Sequence, residues 1–507
     1  MSGLFTLTTG TLTLGTFTLT AGTFSSTNTN ARTIAFGTGN ITLTSGSTNM
    51  WNTDISTNLT VTGTPVVNST YSGSTGTRNF FVGNAAPPSE ANSISFNVSA
   101  GSDTVVMYGA GLRDINFTGF TGTWSATGGT KTLYGSLTLS TGMTLAAGIG
   151  TITFAATSGT QTITSNGRTI DGAVTFNGVG GTFQLQDNLT MGSTRTATLT
   201  NGTLDLNGKT FSCGLFSSSN SNTRTLVFGT GNITTTGSGT VWNTATITNF
   251  TVTGTPVVNV SNNSATATSV IPGSWPESTA PSFNFTTGTY TLTFPATTAS
   301  TVKNVDFTGF AGTWSSTATD TVYGNLTIST GMTVGGGSNA VTFGATSGTK
   351  AITTNGKTLD FPLTFNGVGG TFSFADALTQ GSTRAFTITN GTVKMKDGTT
   401  NTVGSFATGG GTTQRFLQST VAGSQATLTA PSGTFAATYL TIQDIVATGG
   451  ATWNAYTTSG NVNAGNNVNW NFLGPARGLS YATGLYAGYG GLSSNSGLDS
   501  NFPGLGG

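Results

Sequence analysis

The sequence predicts an all-β chain, wound as a right-handed parallel β-helix (a β-solenoid) with an internal duplication. Three observations carry this. The nine residues TFNGVGGTF occur at 175–183 and again, unchanged, at 364–372. Short segments alternate apolar residues with Thr or Ser, the period-two pattern of strands with one buried face. Turn pairs such as NG, TG, GG and SG separate them every eight to twelve residues, and no stretch shows the i, i+3, i+4, i+7 stripe of a helix.

The duplication runs well beyond nine residues. Arg32–Thr42 (RTIAFGTGNIT) returns as Arg224–Thr234 (RTLVFGTGNIT), and Val61–Asn68 (VTGTPVVN) as Val252–Asn259. Asn116–Ser125 (NFTGFTGTWS) returns as Asp306–Ser315 (DFTGFAGTWS). The offset drifts only from 192 (Arg32 to Arg224) to 189 (Thr175 to Thr364). A third copy begins at Thr387 (TITNGTV, against TLTNGTL at 198–204) and diverges within a few residues. Repeats of this length point to arrays and solenoids. The chain divides into copy I (1–192), copy II (193–381), a divergent third copy with terminal coils (382–472) and a Gly/Tyr-rich tail (473–507).

Within copy I the strand segments are SLTLS, TITF, TITS, AVTF, TFQL, TATLT, TLDL and KTFS, between residues 136 and 212. Thr, Val, Ile and Phe suit a pleated, half-buried surface. At ~20–24 residues per coil and ~4.8 Å per strand spacing, residues 1–472 predict about 20 coils and a rod about 100 Å long. Two irregular stretches, 68–105 and 259–285, hold five of the twelve prolines (Pro87, Pro88, Pro272, Pro276, Pro281) and both glutamates, Glu90 and Glu277. They are expected to protrude as loops, with Trp275 exposed.

Composition narrows the function. Charged residues make up 6% of the chain, against roughly 25% in ordinary soluble domains. The net charge is +1 and no basic run exists, so the phosphate neutralisation that nucleic-acid binding needs is absent. No segment approaches the ~18 apolar residues of a membrane-spanning helix. Cys213 is the single cysteine, expected as a small buried residue, since it cannot form an internal disulfide or a multi-cysteine metal site. The opening MSGLFTLTTGTLTL has no basic start, apolar core or cleavage site, so export by the general secretory route is not expected.

Chemistry has few candidates. With no histidine, the commonest general base and metal ligand is missing. Asp171 and Asp187, repeated as Asp360 and Asp376, could form the carboxylate pair of a glycan-cleaving spike if adjacent coils brought them together. The simpler role is turn aspartates accepting backbone N–H groups. Trp124 and Trp314, like Trp51 and Trp242, are expected in the core, with a sugar-stacking platform as the alternative. Arg195 and Arg384, in GSTR, are expected to bond a turn carbonyl, with an acidic glycan as the alternative. No catalytic, cofactor or metal residue is assigned.

Residues 440–472 (LTIQDIVATGGATWNAYTTSGNVNAGNNVNWNF) carry a Gly-Asn-Asn turn leading to an aromatic strand. With the TFNGVGGTF and LTNGTLDLNGKTF units, this segment resembles the repetitive β-helix proteins of phage fibres and spikes and of bacterial surface filaments. The resemblance covers 1–472 and rests on architecture-level motifs. It implies a non-enzymatic virion structural protein, a rigid fibre, spike or capsid appendage at the virion surface. Its expected partners are other copies of itself or virion proteins, and host-surface glycans. The alternative is a subunit of a bacterial or archaeal extracellular filament or adhesin. In the tail, Tyr481, Tyr486, Tyr489 and Phe502 lie among Gly and Leu after alternation has stopped. They are read as an assembly segment, because tyrosine joins a large apolar face to a hydroxyl that needs a partner.

Overall fold

The computed structural model describes residues 3–474, apart from 84–88, 110, 126–128 and 296–298. The described chain is a β-solenoid of about 20 turns. A coil consists of three strands. The first coil is Leu4–Thr6, Gly10–Thr13 and Thr18–Ala21, and the second is Thr23–Ser25, Arg32–Ala35 and Asn40–Leu43. Each pairs in parallel with its successor: Leu4 with Thr23, Gly10 with Arg32, Thr18 with Asn40. Coil length varies, for example 18 residues from Thr434 to Thr452 and 29 from Trp51 to Phe80.

The alternation of the sequence becomes an inside and an outside. Phe24, Ile34, Ile41 and Leu43 are fully buried, while Thr33 and Thr42 beside them face out. In-register parallel pairing then stacks like on like. Thr160, Thr182, Thr203, Thr225 and Thr251 sit one above another through five coils. Asparagines form amide ladders, Asn97 Nδ2 donating to Asn68 Oδ1 (2.9 Å) and Asn68 Nδ2 to Asn40 Oδ1 (3.1 Å). Copy II repeats the ladder with Asn284, Asn259 and Asn232. Inside, rings stack along the axis: Phe5 on Phe24 at 5.8 Å and Phe24 on Trp51 at 4.5 Å.

The repeated NGVGG has a steric cause. Val174–Leu185 and Leu363–Phe374 are single strands that carry the ladder around a corner of the coil. A Cβ on Gly178 would lie 1.9 Å from the Ala156 carbonyl oxygen of the coil below, and one on Gly367 1.8 Å from that of Ala345. No side chain fits there, so the corner is glycine in both copies.

The stretches 68–105 and 259–285 do not protrude as expected. Both contribute strands to further coils, Thr77–Val82, Ile94–Val98 and Thr104–Gly109 in one and Thr268–Ile271 and Ser282–Thr287 in the other, and the residues about Glu90 and Glu277 lie between these strands. Trp275 is 5% exposed, its ring edge-on to Phe250 at 5.3 Å and its Nε1–H donating to the Pro272 carbonyl at 2.6 Å. Proline and charge suggested loops, but the apolar residues between them bury like those of any other coil. Pro87 and Pro88 lie outside the described residues.

Successive copies are turned by one face. Leu12, Ile34 and Val61 lie in a three-stranded sheet of their own. Their counterparts in copy II, Leu204, Leu226 and Val252, lie instead in the sheet that runs through Leu19, Ile41, Val67, Phe96, Ile115, Leu137 and Ile163. The third copy moves on again: Leu417, counterpart of Leu226, continues the sheet that holds Ile233, Val258, Phe283 and Val305. A copy is therefore a whole number of coils plus one strand. Among the described residues no helix is long and apolar enough to cross a membrane.

Candidate functional site

Asp171 and Asp187 are not brought together. Asp171 follows the strand Thr169–Ile170, whereas Asp187 follows the next face but one, after Leu185, so they occupy different corners of the coil. Asp187 accepts the backbone N–H groups of Ser165 (2.8 Å) and Asn166 (2.5 Å) from the coil below. Asp376 does the same for Thr354 and Asn355. These are the turn aspartates of the simpler expectation.

Asp171 serves differently. Its carboxylate accepts Arg195 Nε (2.7 Å) and Nη2 (3.2 Å) from the coil above and the Gly148 N–H (3.0 Å) from the coil below. The expectation of a carbonyl partner for Arg195 is thereby corrected, because a coil of 24 residues sets Asp171 directly beneath it. Asp360 and Arg384 repeat the pair at 2.8 Å. The bonded guanidinium, first, and in Asp171 also the Gly148 N–H, hold these carboxyls below the usual carboxylate range. Both arginines are committed to carboxylates.

The tryptophans belong to the core. Trp51 and Trp242 stack on Phe24 and Phe216 at 4.5 and 4.7 Å and donate to Thr53 and Thr244 Oγ1. Trp124 and Trp314 pack on Phe117 and Phe307 at 5.1 and 5.2 Å. None offers an exposed ring to a sugar. Cys213 is buried, and burial pushes its thiol well above the usual range. Among the described residues no group of three or more Cys, Asp or Glu could hold a metal ion. Tyr481, Tyr486, Tyr489 and Phe502 lie outside the described residues.

Two devices went unread in the sequence. The first is a set of buried arginines, Arg32, Arg224 and Arg415, at corresponding points of the three copies. Arg224 donates to the carbonyls of Ser218, Asn222, Thr246 and Thr248 and to Ser218 Oγ. Arg415 donates to those of Thr389, Gly410 and Thr438. Each guanidinium thus staples a corner turn to the adjacent coil, as planar five-donor geometry allows. The signal was parity: in RTIAF and RTLVF the arginine shares the inward phase of Ile34 and Leu226. Arg415 also shows that the third copy follows the same path beyond the point where its sequence diverges.

The second device uses the only two glutamates of the chain. Glu90 Oε2 accepts the Thr157 N–H (3.0 Å) and Oγ1–H (2.5 Å), 67 residues ahead. Glu277 does the same with Thr346 at 3.1 and 2.6 Å, 69 residues ahead. The short segment around each glutamate is a strut tied back to the shaft several coils on.

The outer surface is largely built from stacked hydroxyls and amides, and the charges described above serve as structural fasteners. No protein-family model matches this chain, and neither the curated proteins nor the solved structures include a significant match to it.

Proposed function

We propose that this protein is a non-enzymatic structural rod, the shaft of a virion fibre, spike or capsid appendage. One observation carries the reading: about 20 parallel coils stack without interruption. In such a stack each coil's strand edges are satisfied by the next, so length is gained without a hinge. The charges that catalysis would use are instead spent on fastening: Glu90 and Glu277 on struts, Asp187 and Asp376 on turns, Arg32, Arg224 and Arg415 on corners. A neutral, hydrated shaft of this kind suits display of an end far from its anchor, with weak surface contacts multiplied by copy number. The tail at 473–507 would supply assembly with further copies or with virion proteins.

Small-angle scattering and electron microscopy of the purified chain test the shaft, with a rod about 100 Å long as the expected result. Cryo-electron microscopy of intact particles tests the location. A chain ending at Leu473 should form the same rod yet fail to enter assemblies. A compact particle in scattering, or normal incorporation of the shortened chain, would overturn the shaft or the anchoring role respectively.

A further inference from the structure

The two copies differ at one corner of the rod. In copy I, Tyr71 fills that corner. Its ring lies so close over Gly46 and Gly73 that a Cβ on either would meet it at 2.3 and 2.0 Å, and the Arg78 guanidinium sits 5.4 Å from the ring centroid. Counting along the shared string VTGTPVVN, the residue at this position in copy II is Asn262. Asn262 is 2% exposed and turned inward, donating to Thr268 Oγ1 at 3.0 Å and accepting the Ser264 N–H at 2.7 Å. With a short amide in place of the phenol ring, copy II has a cleft of about 590 Å³ along four successive coils. That lies within the ~300–1,000 Å³ of small-ligand sites.

The lining defines the ligand. Ser193, Thr194, Thr236, Ser238 and Asn263 form the walls, and Leu215 contributes the apolar patch. Hydroxyls and amides both donate and accept, so they match a ligand that does the same. No charged side chain lines the cleft. Arg195, next in sequence to Thr194, is tied to Asp171 at 2.7 Å. An anion would find no free cation there, and a largely apolar ligand would leave the hydroxyl walls unsatisfied.

We propose that this cleft binds a neutral saccharide chain, lying along the rod with a C–H face over Leu215. The proposal rests on the shaft reading and deepens it, giving the shaft a lateral attachment point in copy II at the corner where copy I carries Tyr71. Without an aromatic platform a single site binds weakly, and attachment depends on many rods acting together.

The test is retention of the purified full chain on an array of neutral glucans, mannans and galactans, with sulfated and uronic-acid glycans as the charged arm. The strongest binder is then titrated by NMR. Asn262→Tyr combined with Ser264→Gly, which copies the Tyr71 and Gly73 of copy I, should weaken binding at least tenfold. Ser238→Trp, at the exposed rim, should do likewise without touching the core. Binding restricted to the charged arm, neutral binding unchanged in both variants, or no retention of any neutral glycan would each overturn the proposal. Scattering on the same samples separates the two ideas, since a rod of the expected length that binds no neutral glycan removes the cleft and leaves the shaft.

Discussion

Copies I and II follow the same path but treat charge in opposite ways at two matching places. In copy I, Arg78 and Asp103 form a fully buried pair at 2.7 Å, with the guanidinium also held by Ser69 Oγ and the Ala100 carbonyl between the rings of Tyr71 and Phe120. Copy II has Thr268 bonded to Asn262 on the corresponding strand, and Tyr290 against Phe310 where Asp103 would stand. A few coils on, copy I buries Lys131, whose ammonium donates to the carbonyls of Gly129 (3.2 Å) and Ile149 (3.1 Å) and faces Trp124 at 6.0 Å. Copy II buries Asp320 at the same register, and neither of its carboxylate oxygens has a partner. Phe361, where copy I has Gly172, packs on Trp314 at 5.2 Å. Each copy thus sets one large side chain beside its tryptophan, a lysine in one and a phenylalanine in the other. The stack requires filled volume and continuous ladders, and either chemistry satisfies it.

Asp320 offers the sharpest test of this difference. Burial raises its carboxyl to about 8, so the folded chain holds a proton that the unfolded chain releases. Stability therefore falls as pH rises from the ordinary carboxylate value to about 8, by up to ~1.4 kcal/mol for each pH unit, and stays flat above. Lys131 acts with the opposite sign: burial lowers its ammonium, so copy I gains stability as pH rises towards the ordinary lysine value. Asp320→Asn should leave the coils around 300–341 unchanged at about pH 3.5, below the range of the loss, and protect them at about pH 9, as read coil by coil from hydrogen exchange. Equal protection of wild type and variant at the higher pH would mean that Asp320 finds a partner.

Next in size is the buried pair. Arg78→Ala strands a buried carboxylate and should cost roughly 3–5 kcal/mol in urea unfolding of copy I. Replacing Arg78 by Thr and Asp103 by Tyr together, after the pattern of copy II, should cost much less. If the double replacement is as damaging as Arg78→Ala, the neutral cluster of copy II is not an equivalent solution.

The smallest effect lies where the copies agree. Glu90→Gln and Glu277→Gln each weaken one strut, and each should cost about 1 kcal/mol, seen as faster exchange at the Thr157 and Thr346 amides respectively. Unequal losses would show that the struts, alike in geometry, carry different loads.

The strand rhythm and the duplication were legible because parallel stacking writes the same parity into every coil. The insertions were misread because Pro87, Pro272 and Glu277 outweighed the apolar residues around them, such as Phe80, Phe96 and Phe283, which are buried. Arg32 and Arg224 are hard to read from sequence because a charged residue in an inward phase contradicts the usual reading of alternation, although a guanidinium ringed by carbonyls fits it. The partner of Arg195 could not be read at all, since which residue lies 24 positions beneath it depends on coil lengths that vary. Asp187 and Asp376 were placed correctly in turns for a local reason, the short reach of aspartate to nearby N–H groups.

The one-face turn between copies has a mechanical consequence. A rod whose units repeated on the same side would accumulate every local irregularity there, and its bends would add into a curve. Here the strut of Glu90 and that of Glu277 stand on neighbouring sides, and the arginine staples of the three copies step round all three. Irregularities distributed in this way do not add on a single side, so their bends should not accumulate into one curve along the chain.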